Sequence, residues 1–209
     1  MSLPKSIQKN SLLLLAFALV TAGLLAATYE GTKEAIAESE RRAAEKALLE
    51  IVPAKRIDND LLLDTIAIPQ SAWQQLGLND GGNIHIARQQ GEVVAIITNT
   101  IAADGYSGDI KLLAGVNRDG TIAGVRVISH TETPGLGDKI DLKKSDWITL
   151  FNGLSLKQPT LENWKVKKDG GEFDQFTGAT ITPRAVVNQV KNVLLFVQEN
   201  QTRLFGEVK

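Results

Sequence analysis

Cysteine is absent from this 209-residue chain. That one absence excludes disulfides, thiolate zinc sites, iron–sulfur ligation and a cysteine nucleophile. Histidine is scarce as well: His85 and His130 are the two present, too little for an imidazole metal centre, and no metal ligands are expected. Redox chemistry in such a chain has to come from an organic cofactor. An excess of charge of one sign is also missing. Lys and Arg number 23 against 24 Asp and Glu, giving a net charge of -1 and a pI near 6.2, so the basic surplus that gathers phosphate backbones is lacking and no nucleic acid is expected as a partner. At 22.6 kDa there is room for one ordinary domain and a modest appendage, too little for two catalytic domains with separate cores.

What the chain does have is one long hydrophobic run. Residues Ser11 to Tyr29 carry no charged side chain and are mostly Leu and Ala. As a helix rising about 1.5 Å per residue, the run reaches roughly 28 Å, close to the depth of a hydrocarbon core. Lys5 and Lys9 precede it and Glu30 follows, which keeps the N-terminus in the cytoplasm and sends the main domain to the far side. A cleaved signal peptide is the competing reading. No small-x-small site follows Leu25 and the run is long, so a retained anchor is expected. The expected organisation is a cytoplasmic N-terminus over 1–10, a transmembrane anchor over 11–29, a linker helix over 30–55 and one folded domain over 56–209. In the linker, Ile36, Ala43, Ala47, Leu48 and Ile51 recur on one helical face. Pro53 marks its end, and Glu38, Arg41, Arg42, Glu45 and Lys46 make a solvated face.

Beyond the linker, period-two runs separated by turn residues predict strands over Asn83–Ala87 and Val93–Thr98. His85 alternates with Ile84 and Ile86 and is expected to be a strand-surface histidine. A clearer hairpin joins Ile110–Val116 to Thr121–Ile128 through Asn117–Gly120, where Gly120 can take the positive φ of a tight turn. A loop from His130 to Asp138 follows, then a short helical pattern through Trp147, Ile148, Leu150 and Phe151, and an extended segment around Trp164–Lys167. The last long element runs from Pro183 to about Glu199, with Val186, Val187, Val190, Val193, Leu194 and Val197 on one stripe and Thr182 as its expected N-cap. Trp147, Trp164, Phe173 and Phe176 are expected in the core or at its rim. The fold class is α+β: an N-terminal transmembrane helix, then one domain with an antiparallel or mixed sheet flanked by helices.

One segment carries chemistry. Thr177-Gly178-Ala179-Thr180 places two small residues between two hydroxyls just ahead of a helix N-terminus, where free N–H groups and the positive end of the helix dipole favour a phosphate. Taken alone, the signal is weak, and a capped helix with a convenient turn is the better reading of it. Together with Ile181-Thr182, Gly105-Tyr106-Ser107-Gly108, the Ile110–Ile128 hairpin and the loop His130–Gly137, however, it resembles the FMN-binding domain of RnfG, a component of the Rnf electron-transport complex. It is similar also to NqrC of the sodium-pumping quinone reductase. The resemblance covers nearly the whole chain, the anchor included.

In that family a Ser/Thr-Gly-Ala-Ser/Thr signal is flavinylated: its last hydroxyl forms a phosphodiester with FMN, delivered from FAD by a Mg²⁺-dependent flavin transferase. Carried over residue by residue, the resemblance implies covalent FMN on Thr180, with Thr177, Gly178 and Ala179 completing the signal. It implies that Glu132, Thr133, Leu136 and Gly137 hold the isoalloxazine ring. No residue is implied as a catalytic acid, base or nucleophile toward a substrate. The implied protein is an electron-carrying subunit of an ion-translocating ferredoxin:NAD oxidoreductase in the bacterial inner membrane, a single-pass protein with its domain in the periplasm. Its implied partners are the other membrane subunits and, during maturation, the flavin transferase. The alternatives are an NqrC-type subunit, typically a longer chain, and a membrane-tethered flavin-binding sensory domain.

Overall fold

A computed structural model of the chain describes residues 5–206; residues 1–4 of the expected cytoplasmic segment and 207–209 of the expected domain lie outside the described residues. The chain divides into two compact units, 1–44 and 45–209.

The first unit is a helix. Helix α1 begins at Lys5 and continues without a break to Ile51, beyond the end of this unit. The apolar run and the charged segment after it are thus one helix, as a stretch free of proline allows. Its most apolar window has mean hydropathy 2.2 and no buried residue, and the helix is long and apolar enough to cross a membrane. Its threonine hydroxyls are satisfied within the helix: Thr21 donates to Phe17 O at 2.9 Å and Thr28 to Leu24 O at 2.8 Å. Downstream, Glu38 and Arg42 pair one turn apart at 2.8 Å. Ile36 and Ala43, on the helical face read from the sequence, are exposed, and burial begins only at Leu48 and Ile51. The helical period was legible there, but period alone does not provide a partner surface.

In the second unit the last turn of α1 leads into a five-stranded antiparallel sheet, β1 (Thr65–Ala67), β2 (Asn83–Gln89), β3 (Glu92–Ala102), β4 (Ile110–Asn117) and β5 (Ile122–Ser129), each strand pairing with the next. The sheet is antiparallel throughout. Gly120 turns the β4–β5 hairpin with φ +83°. Helix α2 (Ile181–Glu199) covers one face of the sheet. The stripe read from the sequence is buried in full, packing with Ile84, Ile96, Leu112 and Val116 in the main core, where each such aliphatic side chain contributes about 1.5–3 kcal/mol. A short helix, α3 (Gln201–Phe205), closes that end with Leu204 and Phe205.

The opposite face of the sheet receives Leu48, Ile51 and Val52 from the end of α1 against Ala87, Ala95 and Ile97. Both faces of β3 are thus covered, which explains its run of nearly continuous burial. The approach of Ile51 is close because β4 has no side chain at Gly115: a Cβ there would overlap Ile51 Cγ2. Gly115→Ala should therefore destabilise the domain by about 1–3 kcal/mol through overpacking. Ile51→Leu in the same chain, which takes away the Cγ2 methyl, should recover part of that loss in a urea melt, and an unrecovered loss would contradict the contact.

Residues 137–176 hold no long element. They form short 3-10 turns over Gly137–Ile140, Asp146–Phe151, Leu161–Asn163 and Lys167–Asp169, held by a continuous aromatic block. Trp147 meets Phe151 and Phe176 edge-on at 5.4 and 5.2 Å, and Phe151, Trp164 and Phe173 contact one another at 4.9–6.1 Å. The expected extended segment around Trp164 is present only as a single bridge, Val166 to Phe173.

Candidate functional site

The loops after β3 and β5 emerge at one end of the sheet, and the first turn of α2 begins beside them. Between them lies a cleft of about 320 Å³ lined by Tyr106, Glu132, Thr133, Leu136, Gly137 and the stretch from Gly178 to Thr182. The fold therefore brings together the two motifs that stand apart in the sequence. Of the candidate residues, Thr177 does not line the cleft and is exposed at its margin.

One wall is the Thr177–Thr180 loop. Ala179 N–H donates to Phe176 O at 3.1 Å and closes a turn in which Gly178 has φ +82°, a conformation that disfavours any side chain. The loop is anchored from beneath: Phe176 is buried against Trp147, whose Nε1 donates to Asp174 O at 2.7 Å. The Asp174 side chain is exposed and pairs with Lys167 at 2.6 Å. Its carboxylate thus serves the surface.

Thr180, not Thr182, occupies the N-cap position of α2, and its hydroxyl makes no capping hydrogen bond. Among the described residues, the N–H groups of Ile181 and Thr182 find no backbone partner, Pro183 has none to offer, and the first helical bond is Arg184 N to Thr180 O at 3.2 Å. The helix therefore presents free donors and an unengaged hydroxyl to the same cleft. Thr182, expected as the cap, sits inside the first turn, buried to 1% exposure, and its hydroxyl donates to Glu132 Oε2. Its identity as a cap-forming residue misled because the acceptor lies in another loop.

The second wall is the loop after β5. Leu136 and Gly137 N–H both donate to Thr133 O at 3.1 Å, holding a tight turn with Leu136 partly exposed toward the cleft. His130 opens the loop by accepting the Glu132 N–H at Nδ1, 3.1 Å away. The third wall is the β3–β4 connection, from which Tyr106 projects with 68% of its surface exposed. Tyr106, Ile181 and Thr182 line the cleft without having been singled out as site residues. For Tyr106 the signal was a lone aromatic between Gly105 and Gly108; for Ile181 it was adjacency to Thr180.

In the first turn of α2, Arg184 makes a bidentate pair with Asp169 at 2.6 and 2.8 Å. The hydrogen bond from Arg184 holds the Asp169 carboxyl below its usual 3.8 and raises the guanidinium in turn. Because the folded-state value is depressed, this tie contributes stability above about pH 3.8 and loses it as pH falls through the lowered value. Urea midpoints should accordingly drop further between about pH 5 and pH 3 in the parent chain than in Asp169→Asn, and equal drops would rule the tie out as a contributor.

Residues 105–195 match the FMN-binding domain family, and residues 1–51 match the RnfG N-terminal region. Proteins named as the G component of an ion-translocating oxidoreductase complex align over almost the whole length. The one from Pseudoalteromonas atlantica is 50% identical over 201 residues, covering 96% of this chain and 92% of its own. Those from Vibrio cholerae and Shewanella piezotolerans are 45% and 46% identical over 202 residues, with 97% of this chain and 95% and 94% of theirs covered. The chain belongs to the RnfG family. The FMN-binding domain match begins at Gly105, the loop that carries Tyr106, and so takes in every wall of the cleft. The residues present fit FMN: free N–H groups and a hydroxyl at a helix start suit a phosphate, while Tyr106, Leu136 and Ile181 offer apolar surface to a ring.

Proposed function

We propose that this RnfG-family chain is a membrane-anchored electron carrier of an ion-translocating oxidoreductase coupling reduced ferredoxin and NAD, and that it bears FMN in phosphodiester linkage to Thr180. The observation that carries the reading is the Thr180 hydroxyl, unengaged at the start of α2 and inside the cleft. The neighbouring hydroxyls are less suited: Thr182 is committed to Glu132 and Thr177 lies outside the cleft.

Attachment forms a bond between Thr180 Oγ1 and the phosphorus of the FMN half of FAD. The pyrophosphate linkage breaks, AMP leaves, and the hydroxyl proton is lost. A Mg²⁺-dependent flavin transferase supplies the catalysis. The product keeps one negative charge on the phosphodiester, beside free helix N–H groups that favour it. Once bound, the flavin supplies the redox chemistry, and the protein supplies position and environment. Thr133, Leu136 and Gly137, with Glu132 behind them, form the wall that would hold the ring, and Thr177, Gly178 and Ala179 would complete the signal that the transferase reads.

Helix α1 supports a single-pass anchor, and Lys5 and Lys9 on one side of its apolar run favour a domain in the periplasm of a bacterial inner membrane. The other membrane subunits are then the electron-transfer partners. Co-expression with a flavin transferase should give a band that fluoresces under ultraviolet light after denaturing electrophoresis. A band without fluorescence, from cells in which the transferase labels another acceptor, would overturn the covalent reading.

A further inference from the structure

Glu132 lines the flavin cleft, yet its carboxylate is already spent on the protein. The residue is 4% exposed. Oε1 accepts the Ser107 N–H at 2.9 Å, and Oε2 accepts the Thr182 hydroxyl. The two oxygens are also walled in by backbone. A Cβ on Gly137 would come within 2.7 Å of both Glu132 Oε2 and Thr182 Oγ1, and one on Gly105 within 2.9 Å of Oε1. Both carboxylate oxygens are therefore engaged within the protein, close against the backbone of Gly105 and Gly137.

What the carboxylate does instead is join three segments distant in sequence. Ser107 lies 25 residues before Glu132, and Thr182 lies 50 after it. A second tie runs parallel, from Thr131 Oγ1 to Ser107 O at 2.8 Å, while His130 fixes the Glu132 backbone. Thr182 is in the first turn of α2, next but one to Thr180. Fixing Thr182 against the two loops therefore fixes the direction in which Thr180 leaves the helix.

We propose that Glu132 is a positioning residue: through Thr182 and Ser107 it holds the start of α2 against both flanking loops, presenting Thr180 for flavin attachment without itself touching the flavin. The inference rests on the reading of Thr180 as the attachment site. It separates the loop residues into Leu136 and Thr133, which face the cofactor, and Glu132, which keeps the cleft in shape.

The test pairs two measurements on the full chain in detergent: hydrogen exchange of the unmodified protein, and the initial rate of flavin transfer to Thr180 from FAD with purified transferase and Mg²⁺. Thr182→Val keeps the shape and removes the donor; Glu132→Leu removes both acceptors. Each should slow transfer about tenfold or more and quicken exchange across 105–108 and 181–184, and the double variant should be within about twofold of the slower single one. Thr182→Ser keeps the donor. Glu132→Gln keeps the acceptor for Ser107 and turns its amide toward the Thr182 oxygen. Both should stay within about threefold of the parent. Should Glu132→Leu fail to fold, the contrast between Thr182→Val and Thr182→Ser still decides. Transfer unaffected in Thr182→Val, or effects that multiply in the double variant, would overturn the proposal. If the parent chain takes no flavin while both variants still quicken exchange, the latch stands and the attachment reading falls.

Discussion

Thr180→Val should yield a folded protein that carries no covalent flavin. Valine matches threonine in shape and lacks only the hydroxyl, and that hydroxyl makes no capping bond in the structure, so the loss of stability should stay within about 0.5 kcal/mol. The loss of attachment should be complete, because no bond to phosphorus can form. Thr180→Ser restores the oxygen and should restore labelling, at a rate altered by the missing methyl group. The neighbours sharpen the expectation. Thr177 is exposed and outside the cleft, and Thr182 is buried and hydrogen-bonded, so neither should take over when Thr180 is removed. Ultraviolet fluorescence after denaturing electrophoresis reads the result directly, and an undiminished band from Thr180→Val would show that the flavin sits elsewhere.

Trp164→Ala should produce the largest loss of stability. The side chain is fully buried, stacks on Phe151 at 6.1 Å with a 17° interplanar angle and lies 4.9 Å from Phe173. Its Nε1 donates to Ser155 O at 3.1 Å. Removal leaves a cavity and takes one of two donors from the Ser155 carbonyl, which keeps the Gln158 N–H at 3.2 Å, a combined cost of about 3–5 kcal/mol. For a domain of this size that lowers the melting temperature by about 10 °C or more. Trp164→Phe keeps the stacking, loses the hydrogen bond and should fall by less than half as much. The block also reaches the cleft, since Phe151 contacts Trp147, which contacts Phe176 next to the Thr177–Thr180 loop. Flavin transfer should therefore slow in Trp164→Ala as well. A melting point unchanged by Trp164→Ala would contradict this packing.

Much of the architecture could be read from residue order. Alternation set β2 and β3, Gly120 set the β4–β5 turn, and the valine stripe set α2, because each of these signals is local and periodic. The two halves of the site were legible through motifs, although their meeting in one cleft was a matter of topology. What escaped depended on contacts between distant residues. Thr182 before Pro183 has the chemistry of a cap, but its acceptor is 50 positions away. The first strand, Thr65–Ala67, is three residues long and exists through its pairing with β2. Outside the short helical pattern at Trp147–Phe151, residues 137–176 carry no period to detect, since rings rather than ladders hold them together.

A covalent bond at one oxygen distinguishes this protein from a reversible flavin binder, and peptide mass mapping of the flavin-loaded chain reads that bond. A mass gain equal to FMN less water is expected on the peptide that contains Thr180, with fragment ions placing it on that residue. An unmodified Thr180 peptide, with all colour released by acid precipitation or the added mass found on another residue, would contradict it.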